Sequence, residues 1–215
     1  MKSNNGKEVK SYKSLVSIIE IGLKYWIEKK CHSINGLDIK IKASLLNVIQ
    51  GRVKEVNLLA NEVNFNNIII NRIYIKAENI SLMLNLKEVI PRVELSDKFK
   101  IEGDLALCDK GLNETLTSNS WSRIGDWLTK EFLPGYQFKE ILLSESFIIV
   151  KALNIRSNKT LEKHLSIISK DGKLFLKDRD SAKNSVFPMD PSIYIKDVII
   201  KDRKLCLSFS SQVDL

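Results

Sequence analysis

Histidine is almost missing from this chain. Only His32 and His164 occur. His32 adjoins Cys31, but no further Cys or His stands at finger-like spacing, which argues against a zinc site. Cysteine is sparse too. Cys31, Cys108 and Cys206 are odd in number and far apart, a set that cannot make a disulfide framework and fits a reducing compartment. No glycine-rich phosphate loop, nucleophile elbow or zinc-protease motif is present. Glu140, Glu145 and Asp104 are scattered and form no acid–base couple. Asp178 and Asp180 in "KDRDSAKN" flank Arg179, the pattern of a solvated turn rather than of a cation loop. No cofactor and no metal are implied. Aromatic residues make up only 7% of the chain, and no strand carries the paired aromatic and basic signature of an RNA-binding sheet, Tyr74 and Lys76 reading as solvent-side pleat residues, which argues against nucleic acid. No apolar run reaches the roughly 18 residues of a membrane span. The opening "MKSNNGKEVKSYKSLVSIIEIGLKYW" is broken by Glu20 and shows no small-residue cleavage site, so the reading is a cytoplasmic protein without an export signal, at most peripheral to a membrane.

What is present is a core-forming composition with a lopsided charge. The 215 residues are 44% hydrophobic and 28% charged, with net charge +8. Residues 1–30 hold seven lysines against three glutamates, and residues 151–183 hold nine basic against four acidic residues. The excess is thus confined to two stretches. Such patches point to a polyanion or an anionic bilayer surface, or simply to solubility.

Hydrophobic spacing gives the elements. Tyr12, Leu15, Val16, Ile19, Leu23 and Trp26 recur at helical intervals and predict an amphipathic helix over 10–30. Residues 1–9 are polar and basic and are expected to be loose, ahead of a single elongated domain over 10–215. "LDIKIKA" alternates as a strand over 37–43. "SLLNVIQG" reads as a short helix capped by Ser44 and closed by Gly51. Strands follow over 52–63, from Asn71 onward and near 93–107. A helical pair falls at 109–133, with Asp109 and Ser120 as expected caps. Strands are then expected over 136–144, 146–153, 163–170, 172–178, 193–200 and 204–210, with "KDGK" as a tight hairpin.

One stretch stands out. In "NRIYIKAENISLMLNL" the apolar stripe Ile73, Ile75, Ala77 gives way to Ile80, Leu82, Leu84 and Leu86, shifted by one residue near Asn79. A β-bulge or kink there would exchange the faces of one long strand. The fold class expected is α+β: a long twisted antiparallel sheet wrapped around the N-terminal helix, with a short helical pair.

From about Leu37 to Leu133 the order of features resembles the LmeA-like phospholipid-binding family, long labelled a domain of unknown function. "LDIKIKASLLNVIQGRVKEVNLLANEVNFNNIIINRIYIKAENISL" is similar to that family's strand, Leu-Leu-x-x-x-x-Gly-Arg turn and paired long strands. "RVELSDKFKIEGDLALCDKGLNETLTSNSW" is similar to its next strand and Leu-Asn-x-x-Leu helix, here Leu112-Asn113 and Leu116, followed by Trp121. The resemblance implies a tubular lipid-binding fold with a lipophilic cavity. Envelope-located relatives carry an export signal.

The expected function is therefore non-enzymatic binding of a phospholipid or other acyl-chain lipid at a membrane surface. Candidate cavity residues are Ile73, Ile75, Ile80, Leu82, Leu84, Leu112, Leu116, Trp121, Ile124, Trp127, Leu128 and Phe132. Candidate membrane-facing basic residues are Lys163, Lys170, Lys173, Lys177, Arg179 and Lys183. Trp121 and Trp127 could instead seat at a bilayer interface, and the N-terminal helix could lie on lipid. The alternative function is a structural or assembly module that binds a protein partner through the same basic face. An enzyme acting on lipid ranks third. The sequence leaves the oligomeric state open.

Overall fold

A computed structural model describes residues 5–85 and 92–213; the side chains of residues 5–15, 45, 84, 85 and 92–95 fall outside the described set. Strand dominates, as the alternating segments require. The chain runs α1 (Asn5–Lys30), β1 (Ser33–Lys42), α2 (Leu45–Ile49), β2 (Arg52–Phe65), β3 (Ile68–Asn85), β4 (Arg92–Leu95), β5 (Phe99–Cys108), α3 (Asp109–Thr117) and α4 (Ser122–Phe132). It continues through β6 (Gln137–Leu143), β7 (Ile148–Asn154), β8 (Lys159–Lys170), β9 (Lys173–Asp178), β10 (Asn184–Val186), β11 (Ile193–Lys201) and β12 (Lys204–Val213). Residues 5–9, expected to be loose, belong to α1; residues 1–4 lie outside the described residues.

Two antiparallel sheets result. The larger has the order β1-β2-β3-β5-β12-β11, and the smaller the order β10-β9-β8-β7-β6. The expected single strand near 93–107 is in fact two. β5 pairs with β3 only as far as Lys100 opposite Glu78, and β4 takes over from Leu95 opposite Leu82. The KDGK hairpin closes as read, with positive φ at Asp171 and Gly172, and two further hairpins close the same way at Asn66–Asn67 and Asp202–Arg203, the geometry of type I′ turns.

The face exchange in β3 occurs where the sequence places it, but its form differs. Asn79 has φ of 53°, and inward burial passes from Ala77 to Ile80 across the outward pair Glu78 and Asn79. The partner strand does the same. Val53 and Val56 are buried across outward Lys54 and Glu55, so Val53 still faces Ile80 and Val56 still faces Ala77. A second joint exchange lies at Glu62, with φ of 49°. There Ala60 faces Ile73 and Val63 faces Ile70, both pairs inward. The two strands turn over together and their register never slips.

The expected caps of the helical pair are corrected. Cys108, not Asp109, caps α3 and takes the Gly111 N–H on its sulfur. The Asp109 carboxylate is engaged elsewhere, accepting from Leu143 N at 3.1 Å and pairing with Arg203 at 3.0 Å. α4 starts after Trp121, and the Ser120 hydroxyl instead accepts from the Asn67 amide at 3.1 Å. Ser44 does cap α2, accepting from Asn47 N at 3.2 Å.

Three apolar cores form. Ile19 and Leu23 of α1 join Val48, Val53, Val56, Ala77, Ile80 and Leu82 at the α2 end of the large sheet. Ala60, Val63 and Ile70 make a small core at the opposite end. α3, α4, the small sheet and strands β11 and β12 share the largest core, around Leu128, Leu165 and Ile195.

Candidate functional site

Cross-strand pairing lines up one face of the large sheet. Residues directly opposite in an antiparallel ladder point to the same side. One row across that face is Ile39, Leu58, Ile75, Gly103, Phe209 and Ile195. The next row toward α2 is Ile41, Val56, Ala77 and Ile101, and it lies under Ile19 and Leu23. The next row the other way contains Ala60, Ile73, Leu105, Leu207 and Val198.

The middle of this face is incompletely covered. Leu58, Ile73, Ile75, Leu105, Leu207 and Phe209 are all half-buried. Leu58, Ile73 and Leu105 pack on the small core, and Leu207 and Phe209 on the largest. Ile75, between them, packs against none of the three buried clusters among the described residues. Gly103 deepens the row at this point. A Cβ there would come within 2.5 Å of the Tyr74 carbonyl and 3.0 Å of the Phe209 ring, so only glycine lets that ring lie so close to the strand. Trp26 falls on the same stripe of α1 as Ile19 and Leu23, by helical spacing, yet remains 39% exposed. The row is apolar from Ile39 to Ile195 with one aromatic, Phe209, in it, an arrangement able to make dispersion contacts with an apolar ligand.

The predicted cavity residues divide. Ile73 and Ile75 lie in the half-covered rows. Ile80 and Leu82 are buried in the filled core under α1 and α2. The Leu84 side chain lies outside the described residues. Leu116, Leu128 and Phe132 are buried in the largest core, and Leu112, Ile124 and Trp127 pack against it. Trp127 stands edge-on to Phe132 and Phe187. Trp121 donates its indole N–H to the Asn66 carbonyl at 2.8 Å, tying α4 to the β2–β3 turn. Sequence reasoning did not single out Leu58, Gly103, Leu105, Leu207 and Phe209 as candidate site residues. The alternation of "FKIEGDLAL" and "LCLSF" carried the signal for four of them.

The basic residues divide as well. Lys163 bonds the buried Asp178 at 3.0 Å and reaches Asp180 at 3.6 Å. Burial pushes the Asp178 carboxyl up, but the Ser181 hydroxyl, the Asp180 N–H and the Lys163 ammonium outweigh it and hold the group below its ordinary value. Lys183 donates to the Glu131 carbonyl and lies 3.6 Å from its carboxylate. Arg179 sits over the Phe147 ring. Lys170 and Lys173, directly paired, share the outer face of β8–β9 with Lys177, and none of the three has an ion pair among the described residues.

A separate cleft of about 500 Å³ lies where the start of β1 and the β2–β3 turn meet α3. Ser33, Asn35, Glu62, Asn64, Asn71, Lys110 and Glu114 make it polar. Several of these groups are already engaged: Asn35 donates to Glu62 at 2.7 Å, and Asn71 accepts from Cys108 N at 2.6 Å. This cleft does not suit an acyl chain. Among the described residues no cluster of three His, Cys, Asp or Glu could hold a metal ion, and no helix is long and apolar enough to cross a membrane. No family model, no curated protein and no solved structure matches this chain.

Proposed function

We propose that this chain is a non-enzymatic lipid-binding protein that holds an acyl chain of a phospholipid or similar lipid along the half-covered apolar face and works at a membrane surface. The observation that carries the reading is the row Leu58, Ile75, Gly103 and Phe209, apolar across four strands and left between three filled cores. From β1 to β12 this face spans four inter-strand steps, roughly 19 Å. Each methylene removed from water is worth about 0.8 kcal/mol, so an acyl chain of about a dozen buried carbons gains roughly 10 kcal/mol before ordering costs. Such binding needs no specific polar contact, in keeping with a site that has none. The resemblance of residues 37–133 to the LmeA-like family supports the same reading, including a tubular form of the fold.

The test is mass spectrometry of organic extracts from gently purified protein, followed by reloading of stripped protein with a fluorescent fatty acid. Lipid near one molecule per chain, and saturable uptake after stripping, are expected. A lipid-free protein that takes up no acyl chain refutes the proposal. The outer-face lysines Lys170, Lys173 and Lys177, without an ion pair among the described residues, favour a second reading, a basic surface for an acidic protein partner. Capture of a defined partner, lost on charge reversal of these three and unaffected by lipid, would establish it.

A further inference from the structure

The two most exposed large apolar side chains in the described structure sit together on α2. Leu46 is 72% exposed and Ile49 is 67% exposed, while Val48 between them is 1% exposed. At i and i+3 they share one side of the helix. The helix itself is firmly placed: Ser44 caps it, Val48 anchors it in the core with Ile19, and the Gly51 carbonyl accepts from Leu82 N at 2.6 Å. The apolar pair is thus held outward by a fixed support. Met83, at the adjoining end of β3, is exposed as well. Scattered exposed apolar residues are ordinary on protein surfaces; a pair presented from one end of the molecule by an anchored helix is not.

Among the described residues, basic side chains flank α2. Arg52 and Lys54, just past α2, are exposed and have no ion pair among the described residues. The nearby carboxylate of Glu55 is already taken by Lys42 at 2.7 Å and Lys76 at 3.5 Å. α1 touches α2 and β4 here, and its other end leads into the His32 N–H bond to the Asn64 carbonyl at the far end of β2. Residues 1–30 carry the chain's first lysine cluster.

We infer that this end, with Leu46 and Ile49 inserted and Arg52 and Lys54 at the headgroups, docks the protein on an anionic bilayer. The inference rests on the lipid-binding reading and gives it an orientation: the end bearing α2, not the lysine face of β8–β9, meets the membrane. A protein partner fits less well. Two side chains fall far short of the roughly 800 Å² per partner that a stable protein interface buries, whereas a small apolar insertion plus basic residues suffices for reversible bilayer binding.

The test is vesicle flotation of the full chain with phosphatidylcholine alone and with phosphatidylcholine plus phosphatidylglycerol. Wild type is expected to float with the anionic vesicles and to release in high salt. Leu46→Asp with Ile49→Asp should lower partitioning about tenfold or more, and Arg52→Glu with Lys54→Glu should remove the preference for phosphatidylglycerol. Both double variants should keep the wild-type melting temperature and the wild-type amount of co-purified lipid. Unchanged flotation of the Leu46/Ile49 variant overturns the inference, as does a wild type that ignores both vesicle types. Concentration-dependent self-association abolished by the same variant, without loss of flotation, also overturns it and assigns the surface to a second copy of the chain. Vesicle binding by a protein that co-purifies with no lipid sinks the carrier reading instead and leaves the docking surface standing.

Discussion

Replacing Ile75 by tryptophan separates an open apolar row from a closed core. Ile75 is half-buried and joins none of the buried clusters, so a larger ring there is expected to lie over the half-covered face, beside the Phe209 ring that already covers Gly103. If the row is a ligand site, the indole occupies the place of about four methylenes. That forfeits roughly 3 kcal/mol of transfer free energy, about a hundredfold in dissociation constant. Stability should move by less than about 0.5 kcal/mol, as at sites with free space around them. The assay is fluorescent fatty-acid titration of stripped protein beside a urea melt of the same sample. Unchanged affinity with a loss of about 1–3 kcal/mol, the cost of overpacking, would refute the reasoning, because it would place Ile75 in a filled interior.

Gly103→Ala is expected to destabilise by about 1–3 kcal/mol. Its Cβ would come within 2.5 Å of the Tyr74 carbonyl and 3.0 Å of the Phe209 ring; a urea midpoint equal to wild type would show that the strand yields freely. Acid should expose the outer-face cluster of β1–β3. Hydrogen bonds from Lys42 and then Asn57 hold the Glu55 carboxyl down, from its ordinary 4.5 to about 2. A depressed carboxyl stabilises the fold fully above its unfolded value, and that contribution fades as pH falls from about 4.5 to about 2. Melting temperature should therefore fall across that window in wild type, and Glu55→Gln should flatten the slope there. Equal slopes in the two proteins would show that this cluster contributes nothing.

The sequence was most legible where a signal is local. The helical stripe of α1, the Ser44 cap, the tight KDGK hairpin and the exchange at Asn79 depend on residues within one or two turns of each other. Failures came from distant partners. Asp109 reads as a cap, but Leu143 N and Arg203, both far along the chain, claim its carboxylate. Strand 93–107 divides where β3 changes neighbours, and β10 escaped notice because three residues hold too little alternation. The candidate row was legible only in part. Ile73 and Ile75 are visible on their own strand, but the row they belong to exists only once β12 returns beside β5. Nothing near Gly103 announces that Phe209 will rest on it, and nothing near Lys163 announces Asp178 as its buried counter-ion.

The joint turnover of β2 and β3 constrains how this chain can change length. Loss of Asn79 alone would leave β3 alternating strictly, with Ile80 and Leu82 still on the side of Ala77, but would set Ile80 opposite outward Lys54 and Ser81 opposite inward Val53, so the two arms would no longer present matching faces. Loss of Lys54 at the same time would restore the match. The two strands form a single reading frame for side chains, and the same holds at Glu62 and Asn71. Insertions or deletions in relatives of this protein should therefore come in opposed pairs, one in each arm of the hairpin.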